Sequence, residues 1–326
     1  MNREEVLQSI SLKKRFCKNN SLPISVFDNP YFLERLQDLD IVFGCIGLFD
    51  EYCEDLERYK TEQEYFENYN KVKENAINAI KNNDAFSRFI SECNERASGV
   101  FRKDCLKLVH IQANRHLAQN LYAAGNSDGS FISIDMKRAN FTTMQHFFPE
   151  IFDGYSTWEQ FIGQFTNDIH IINSKYVRQV IMGACNPRRQ IEYERTIMNW
   201  LCDYLIENYP SILVYSVSND EIIIKVEKDM GFSLNQLRKT VSEFPILDAD
   251  AFRVSSFELS KIWGTDGWLK IYNQNDSKVE FKCVGTDIFN QVVKYYYDKP
   301  INENDLVFHY NGRLARFLNP IDNPWE

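Results

Sequence analysis

LVYSVSNDEIIIKV, residues 213–226, is the stretch from which the fold can be predicted. Two runs rich in β-branched and aromatic residues flank Asn219-Asp220, a dipeptide that tolerates the left-handed backbone of a tight turn, so the stretch predicts a β-hairpin. Turn chemistry alone would account for an Asp at this position. Glu221 follows directly, however, and the sequence therefore predicts two carboxylates at the tip of a hairpin whose strands are largely buried.

A second carboxylate is expected at the end of a strand upstream. The segment FISID, residues 131–135, alternates like a strand and ends at Asp135, and a helix-like segment follows it. Carboxylates at the ends of neighbouring strands can hold two divalent cations, Mg²⁺ or Mn²⁺, as phosphoryl transfer to a nucleic-acid end requires. Asp135 and Asp220 are therefore the predicted metal ligands and catalytic residues. Glu221 is predicted to be a neighbouring catalytic carboxylate that does not itself bind the metal.

Taken together, the two stretches resemble the palm domain of right-handed polymerases. SIDMKRANF, residues 133–141, resembles motif A, and its DMKRANF portion is also similar to motif A of reverse transcriptases. VSNDEIIIKV, residues 217–226, resembles motif C of family A DNA polymerases, with Asn219 where that family usually has His. The resemblance covers roughly residues 125–230. It implies a DNA or RNA polymerase, a nucleotidyltransferase that extends a 3′ end, whose partners are a primer/template and nucleoside triphosphates.

The helical segment between these motifs resembles motif B of family A and single-subunit RNA polymerases. In KYVRQVIMG, residues 175–183, the resemblance implies that three side chains bind the incoming nucleotide: Lys175, Arg178 and Gln179. Ser174 is expected to cap this helix, and Asn186-Pro187 is expected to break or kink it. The same pair replaces the Tyr-Gly that follows motif B in the family.

Two further sets of residues follow from the resemblance. Asn140 lies five residues after Asp135, where family A has Glu and reverse transcriptases have an aromatic residue that crowds a ribose 2′-OH, so Asn140 is the predicted sugar gate. Phe141 would take this role if the register differed by one. Four basic residues are predicted to bind nucleic acid: Lys137, Arg138, Arg188 and Arg189. For the last two, a solvated pair of charges is an equal alternative.

The length and the amino-acid composition limit the kinds of protein that this chain can be. With 326 residues, 44% of them hydrophobic and 14% aromatic, the chain is expected to fold, with room for two or three subdomains. A net charge of −9 is unusual for a nucleic-acid-binding protein, but basic residues are concentrated in 101–126 and 170–195, on either side of the predicted carboxylates. No apolar run is long enough to span a membrane, and we expect a soluble, intracellular protein. The scattered cysteines lack zinc-ligand spacing and are expected to be reduced thiols.

The sequence therefore predicts an α+β fold, with a palm-like mixed or antiparallel sheet and packed helices. Residues 1–125 form the predicted helical, thumb-like region. Residues 126–240 form the palm, with a short fingers-like insertion and the motif B helix, and residues 241–326 form a small β-rich α/β element. No proofreading exonuclease is apparent. A hypothesis of a different class is a catalytically inactive palm-like module that binds nucleic acid or a protein.

Overall fold

The computed structural model describes residues 1–28, 30–97, 119–185, 187–227, 231–273 and 278–326. Helices pack around a six-stranded antiparallel sheet, which confirms the predicted α+β class. In the described ranges, no helix combines the length and the apolar character needed to cross a membrane. Residues 98–118 of the predicted helical region lie outside these ranges.

The N-terminal region is helical, as predicted, in its described part. Its helices are α1 (Arg3–Gln8), α2 (Ile10–Asn19), α3 (Tyr31–Phe43), α4 (Cys45–Leu56), α5 (Glu62–Lys81) and α6 (Asp84–Ala97). Thr61 begins α5 by accepting a hydrogen bond from the backbone N of Glu64, and Tyr65, Tyr69 and Val72 recur on the buried face at helical spacing. These helices share one hydrophobic core with helices that follow the first strand.

The sheet is built from strands far apart in the sequence. They are β1 (Gly129–Met136), β2 (Val214–Val217), β3 (Glu221–Lys225), β4 (Phe252–Lys261), β5 (Trp268–Tyr272) and β6 (Val279–Lys282). Their order is β2-β3-β1-β4-β5-β6. Because helices separate β1 from β2 and β3 from β4, the first four strands follow a βαββαβ path. Strands β4 to β6 join the same sheet, which therefore crosses the boundary that the sequence predicted at residue 240.

The connection from β1 to β2 contains α7 (Ala139–Phe147), α8 (Trp158–Gly163), α9 (Ile169–Ile172), α10 (Lys175–Gly183) and α11 (Pro187–Asn208). Ser174 caps α10, since its Oγ accepts a hydrogen bond of 3.2 Å from the backbone N of Val177. The predicted break is confirmed, because α10 ends at Gly183 and α11 begins at Pro187. Proline lacks the N–H that a continuous helix requires but suits the first helical turn.

The two faces of the sheet differ. Ile132, Ile134 and Ile222 point to the face covered by α11 and by α12 (Leu234–Ser242), where they share a core with Ile197 and Leu237. Side chains alternate along a strand, so Phe131, Ser133 and Asp135 lie on the opposite face, which we call the Asp135 face. The apolar end of this face carries Phe131, Ile223, Phe257, Leu259 and Trp268.

The C-terminal segment returns to the N-terminal helices. It contains α13 (Phe289–Tyr296) and a separate hairpin of β7 (Val307–Tyr310) and β8 (Arg313–Arg316). The buried Arg35 of α3 donates hydrogen bonds of 3.0 Å and 2.8 Å to the carbonyl oxygens of Asn304 and Val307. Lys294 of α13 is buried between Asp38 of α3 and Asp305. Polar bonds thus join the two ends of the chain.

Candidate active site

The predicted hairpin is present, with β2 and β3 joined through Ser218, Asn219 and Asp220. Ser218 closes the turn: its backbone N donates to the carbonyl oxygen of Glu221 at 2.8 Å, and its Oγ accepts from the backbone N of Glu221 at 3.0 Å. Neither Asn219 nor Asp220 adopts a positive φ, so the left-handed backbone that the dipeptide tolerates is not used. The serine hydroxyl bonds the turn amides instead.

The strand register brings the two predicted acidic stretches together. Asp135 of β1 is the Cα partner of Glu221 in β3. The backbone N of Met136 donates to the carbonyl oxygen of Asp220 at 2.8 Å. Asp135 and Glu221 therefore form a pair without mutual backbone hydrogen bonds, in which Cα atoms lie about 4.5 Å apart and the side chains are close. The carboxylates of both stretches meet at one end of β1 and β3.

Glu221 is bonded within the sheet surface. Its Oε1 accepts a hydrogen bond of 2.5 Å from the hydroxyl of Ser133 and lies 3.5 Å from the ammonium of Lys270 in β5. Lys270 is buried, with its ammonium 4.1 Å from the ring centroid of Phe257. The charge of Glu221 is thus compensated by protein groups.

The carboxylate of Asp135, unlike that of Glu221, is not hydrogen-bonded by the described residues. It is half-buried, and no side chain or backbone donor within the described ranges bonds its carboxylate. Burial and the negative charges of Glu221 and Asp220 raise the pKa of Asp135 to about 6, against the opposing effect of Arg253 and Lys270. Asp220 itself is exposed at the tip of the hairpin. The site therefore concentrates negative charge that the protein leaves incompletely neutralised.

These residues fit a hard divalent cation. Carboxylate oxygens are the ligands that Mg²⁺ and Mn²⁺ prefer, and Asp135 and Asp220 supply them at adjacent strand ends. The Oδ1 of Asp220 also accepts a hydrogen bond of 3.2 Å from the hydroxyl of Ser218. In the part of the chain that the structure describes, no group of three or more His, Cys, Asp or Glu side chains surrounds a single point as metal ligands. A bound Mg²⁺ commonly keeps several waters and takes one or two carboxylates together with substrate phosphates.

Known proteins do not identify the site. Comparisons of the chain with protein-family models, with curated proteins and with solved structures found no match. The chemistry of the site must therefore be inferred from its own residues. These are one half-buried carboxylate without a donor, one exposed carboxylate beside it, and one that is neutralised.

The predicted nucleotide-binding residues lie on α10, which packs against α2, α5 and α7. Lys175 and Gln179 are exposed. Arg178 is half-buried, and burial together with the neighbouring charge of Arg138 lowers the pKa of its guanidinium. Its Nε is buried without a hydrogen-bond partner. The structure thus places Arg178 beside the turn that follows Asp135, with hydrogen-bonding capacity unused.

The turn after β1 holds the predicted basic pair. Arg138 adopts a left-handed backbone, with φ 51°, at the start of α7 and forms an ion pair with Glu159. Lys137 lines a cavity of about 360 Å³ together with Thr142 and Asp248. This cavity lies between α7 and the segment before β4. The side chains of the other predicted pair, Arg188 and Arg189, lie outside the described part of the chain.

The ring of Phe141, the alternative sugar gate, packs in the helical core. Its centroid lies 4.6 Å from that of Phe152 and 6.1 Å from that of Trp158. Phe141 also contributes to the lining of the cavity that Lys137 borders. Asn140 is half-buried, and its Oδ1 accepts a hydrogen bond of 2.8 Å from the backbone N of Phe141. Its amide N–H groups are left for a ligand.

Two residues of α11 were not predicted as site residues. Arg195 donates from Nε and Nη2 to Oδ1 of Asn219, at 3.2 Å and 3.0 Å, so it ties the hairpin tip to the helix. Glu194 is buried, and burial together with the charge of Asp220 raises its pKa to about 7. A signal was present in the sequence, because Glu194 interrupts the apolar stripe that Ile197 and Leu201 continue at helical spacing.

The electrostatics predict a pH-dependent stability. The pKa of Asp135 rises from 3.8, its ordinary value, to about 6 in the folded protein. Asp135 therefore lowers the free energy of unfolding as pH rises from about 4 to 6, and the full cost remains above pH 6. In EDTA at pH 7.5, we expect Asp135→Asn to unfold at a higher denaturant concentration than wild type, by about 1 kcal/mol after allowance for solvent screening.

Chemical denaturation at pH 7.5 and at pH 3.5 measures this effect. The advantage of the variant should become small at pH 3.5, where the carboxyl is protonated in the folded protein and mostly protonated in the unfolded chain. The exposed Asp266→Asn is the matched control, and it should leave the free energy of unfolding unchanged at both pH values. A variant that is less stable than wild type at pH 7.5 would show that protein groups do compensate the Asp135 charge.

Proposed function

We propose that the protein is a metal-dependent nucleotidyltransferase that extends a nucleic-acid 3′ end by phosphoryl transfer. The observation that carries this proposal is the pairing of Asp135 with Glu221 in the strand register, which sets Asp135 beside Asp220 at one end of the sheet. Carboxylates in this position serve phosphoryl transfer, which needs positioned metals and a positioned phosphate but little covalent chemistry from the protein.

Within this proposal, β1 to β4 form the palm. Their βαββαβ path gives an antiparallel sheet with α11 and α12 on one face and the acidic strand ends on the other. The motif A and motif C resemblances fall on β1 and on the β2–β3 hairpin, which are neighbours in the sheet. Sequence order and spatial arrangement therefore support the same assignment.

Each side chain of the site then has a separate role in the proposed reaction. Asp135 and Asp220 would hold Mg²⁺ or Mn²⁺, which when bound neutralises phosphate charge that develops during transfer. Ser133 and Lys270 orient Glu221 along the sheet and keep its charge from adding fully to that of Asp135. Arg253, the Cα partner of Asp135 on β4, is exposed and can meet a phosphate at the rim of the site.

Arg178 is the proposed contact to the triphosphate. Its Nε lacks a partner among the described residues, whereas the neighbouring Arg138 is already paired with Glu159, so Arg178 is the one of this pair with unused hydrogen-bonding capacity. Arg178→Ala is expected to raise the KM for nucleotide about tenfold or more, because a charge-assisted bidentate bond is lost, while primer affinity stays within twofold. Steady-state incorporation and fluorescence anisotropy measure the two quantities.

Arg178→Lys is the matched variant, because it keeps the charge and loses the planar pair of donors. It should fall between wild type and Arg178→Ala in KM. Loss of duplex binding with an unchanged nucleotide KM would instead assign Arg178 to the template.

The proposal as a whole is tested by primer extension. Purified protein is offered labelled primer-templates of DNA and of RNA, with deoxyribonucleotides or ribonucleotides, in Mg²⁺ or in Mn²⁺. Extension that requires the cation is the expected result. Absence of extension for every combination, together with salt-dependent binding of the same duplexes, would favour the second candidate, an inactive palm-like nucleic-acid-binding module. The compensation of Glu221 by Lys270 is the observation that favours this second candidate.

A further inference from the structure

Basic and aromatic side chains of three helices meet where α10 packs against α2 and α5. The guanidinium carbon of Arg15 on α2 lies 4.6 Å from the ring centroid of Tyr69 on α5 and 5.8 Å from that of Tyr176 on α10. The ammonium of Lys18 is 5.2 Å from the centroid of Tyr176, and the ammonium of Lys73 is 4.8 Å from the centroid of Tyr69. We call these five residues the Arg15 cluster. Three cations thus share two aromatic rings.

The positive charges of the Arg15 cluster are not balanced by ion pairs. Within the described ranges, no carboxylate forms a salt bridge with Arg15, Lys18 or Lys73. Burial and the charge of Arg15 lower the pKa of Lys73, against the opposing effect of Tyr176 and Glu74. Burial acts to raise the pKa of Tyr176, but Lys18 and Arg15 outweigh it and lower that pKa. Both shifts show an excess of positive charge, which favours the binding of an anion.

Two hydrogen-bond donors beside these charges are unused. Nε of Arg15 is buried and has no acceptor among the described residues. Asn19, the last residue of α2, is 2% exposed, and its Oδ1 accepts a hydrogen bond of 3.0 Å from the hydroxyl of Tyr69. Its Nδ2 has no partner in the same ranges, and Nη1 of Arg15 lies 3.5 Å from the same hydroxyl. Because a buried donor without an acceptor is costly, both donors indicate an acceptor that comes from outside the described chain.

We propose that the Arg15 cluster is a binding site for a phosphate group. A phosphate offers several acceptor oxygens and up to two negative charges, so it matches three cations better than a carboxylate does. The guanidinium of Arg15 suits phosphate oxygens, and the two lysines add charge. The amide of Asn19 adds a neutral donor. The phosphate of a small molecule and the phosphodiester of a nucleic acid share this chemistry.

The Arg15 cluster is separate from the proposed contact between Arg178 and the triphosphate. Tyr176 and Arg178 both lie on α10, but residues two apart in an α-helix are separated by ~200° around its axis. Tyr176 meets the cations of α2, whereas Arg178 lies beside Arg138 at the start of α7. The inference therefore goes beyond the proposed function and does not depend on it.

Pyrophosphate is the probe, and isothermal titration calorimetry in EDTA measures its binding in the absence of divalent cations. Arg15→Gln should weaken binding about tenfold or more, because it removes a charge and a planar set of donors. Lys18→Gln, at an exposed position, should weaken binding about two- to fivefold, as expected for an exposed ion pair. Lys14→Gln is the matched control, since Lys14 is an exposed lysine of the same helix outside the cluster, and it should leave the affinity unchanged.

A short single-stranded oligonucleotide without a terminal phosphate distinguishes the two sources of phosphate. Displacement of pyrophosphate by the oligonucleotide would support the site and assign it to a nucleic-acid backbone. Binding of pyrophosphate without displacement would support the site and assign it to a small phosphate compound.

Thermal unfolding checks that the variants fold, and Lys18→Gln keeps the test valid if Arg15→Gln does not fold. A wild type that binds no pyrophosphate would overturn the inference. A loss of affinity in Lys14→Gln as large as that in Lys18→Gln would also overturn it, because binding would then depend on surface charge in general. Pyrophosphate binding that depends on Arg15, in a protein that extends no primer, would support this site while refuting the proposed function.

Discussion

Asp135→Asn and Asp220→Asn should each abolish nucleotide incorporation while the protein stays folded. Either substitution removes a negative charge from the proposed cation site with almost no change in side-chain volume. Loss of one group that stabilises charge in a transition state typically lowers the rate by ~10²-fold or more. Single-turnover primer extension in Mg²⁺ measures the effect, and circular dichroism with thermal unfolding in EDTA verifies the fold.

Glu221→Gln is the matched control, because it neutralises the adjacent carboxylate of the same cluster. Its charge is already compensated by Ser133 and Lys270, so its rate should fall less than tenfold. Near-normal incorporation by Asp135→Asn or by Asp220→Asn would refute the metal assignment. A larger loss in Glu221→Gln than in the other two would assign the metal to Glu221 instead.

The largest effect on stability is expected from Asp55→Ala. Asp55 of α4 is buried, and its Oδ2 accepts hydrogen bonds of 2.8 Å from both the backbone N and the Nδ1 of His170, while its Oδ1 lies 3.1 Å from Arg58. Nε2 of His170 is in turn 3.1 Å from the hydroxyl of Tyr65. Removal of Asp55 leaves the backbone N and the Nδ1 of His170 without their acceptor in the core, and each buried donor left unsatisfied costs about 1–3 kcal/mol.

The pH dependence of this effect has a defined sign. Burial acts to raise the pKa of Asp55, but the hydrogen bonds from His170 outweigh it and hold the pKa below the ordinary value of 3.8. The ionised carboxylate therefore stabilises the fold above pH 3.8, and this contribution is lost as pH falls through the depressed pKa. Denaturation curves for wild type and variant should converge in acid.

Asp50→Ala on the same helix is the control. Asp50 pairs with Arg3 at the surface, where about half of each side chain is exposed, and such pairs contribute about 0–1 kcal/mol. A loss for Asp55→Ala no larger than that for Asp50→Ala would show that the His170 network does not stabilise the helical core.

The hairpin and the break between α10 and α11 could be predicted because local chemistry determines them. A turn dipeptide between β-branched runs and a proline after a capped helix act within a few residues. The partners of Glu221 could not be predicted. Lys270 lies on β5, almost fifty residues further along the chain. It reaches Glu221 because the strand order β3-β1-β4-β5 brings both strands into one sheet, and the two side chains meet across β1 and β4. Such a contact depends on strand order, which the sequence pattern does not specify.

Glu194 shows a different limit. A carboxylate within the apolar stripe of α11 stands out in the sequence, but the sequence does not indicate which group it faces. Only the bonds between Arg195 and Asn219 reveal that this turn of the helix meets the hairpin tip. Neighbouring residues of one helix can also differ in a way that the sequence does not show. Phe141 is buried in the core, whereas Asn140, one residue earlier, is the other predicted gate.

The bonds from Arg35 to the carbonyl oxygens of Asn304 and Val307 have a consequence for biosynthesis. These partners are separated by 269 and 272 residues. At ~5–20 residues per second, the ribosome needs roughly 15–55 s to make the intervening chain. During this interval α3 presents to the cell a guanidinium and an adjoining surface that the finished protein buries. The packing of the nascent helical region therefore stays incomplete until residues 304 and 307 have been made and have left the ribosome.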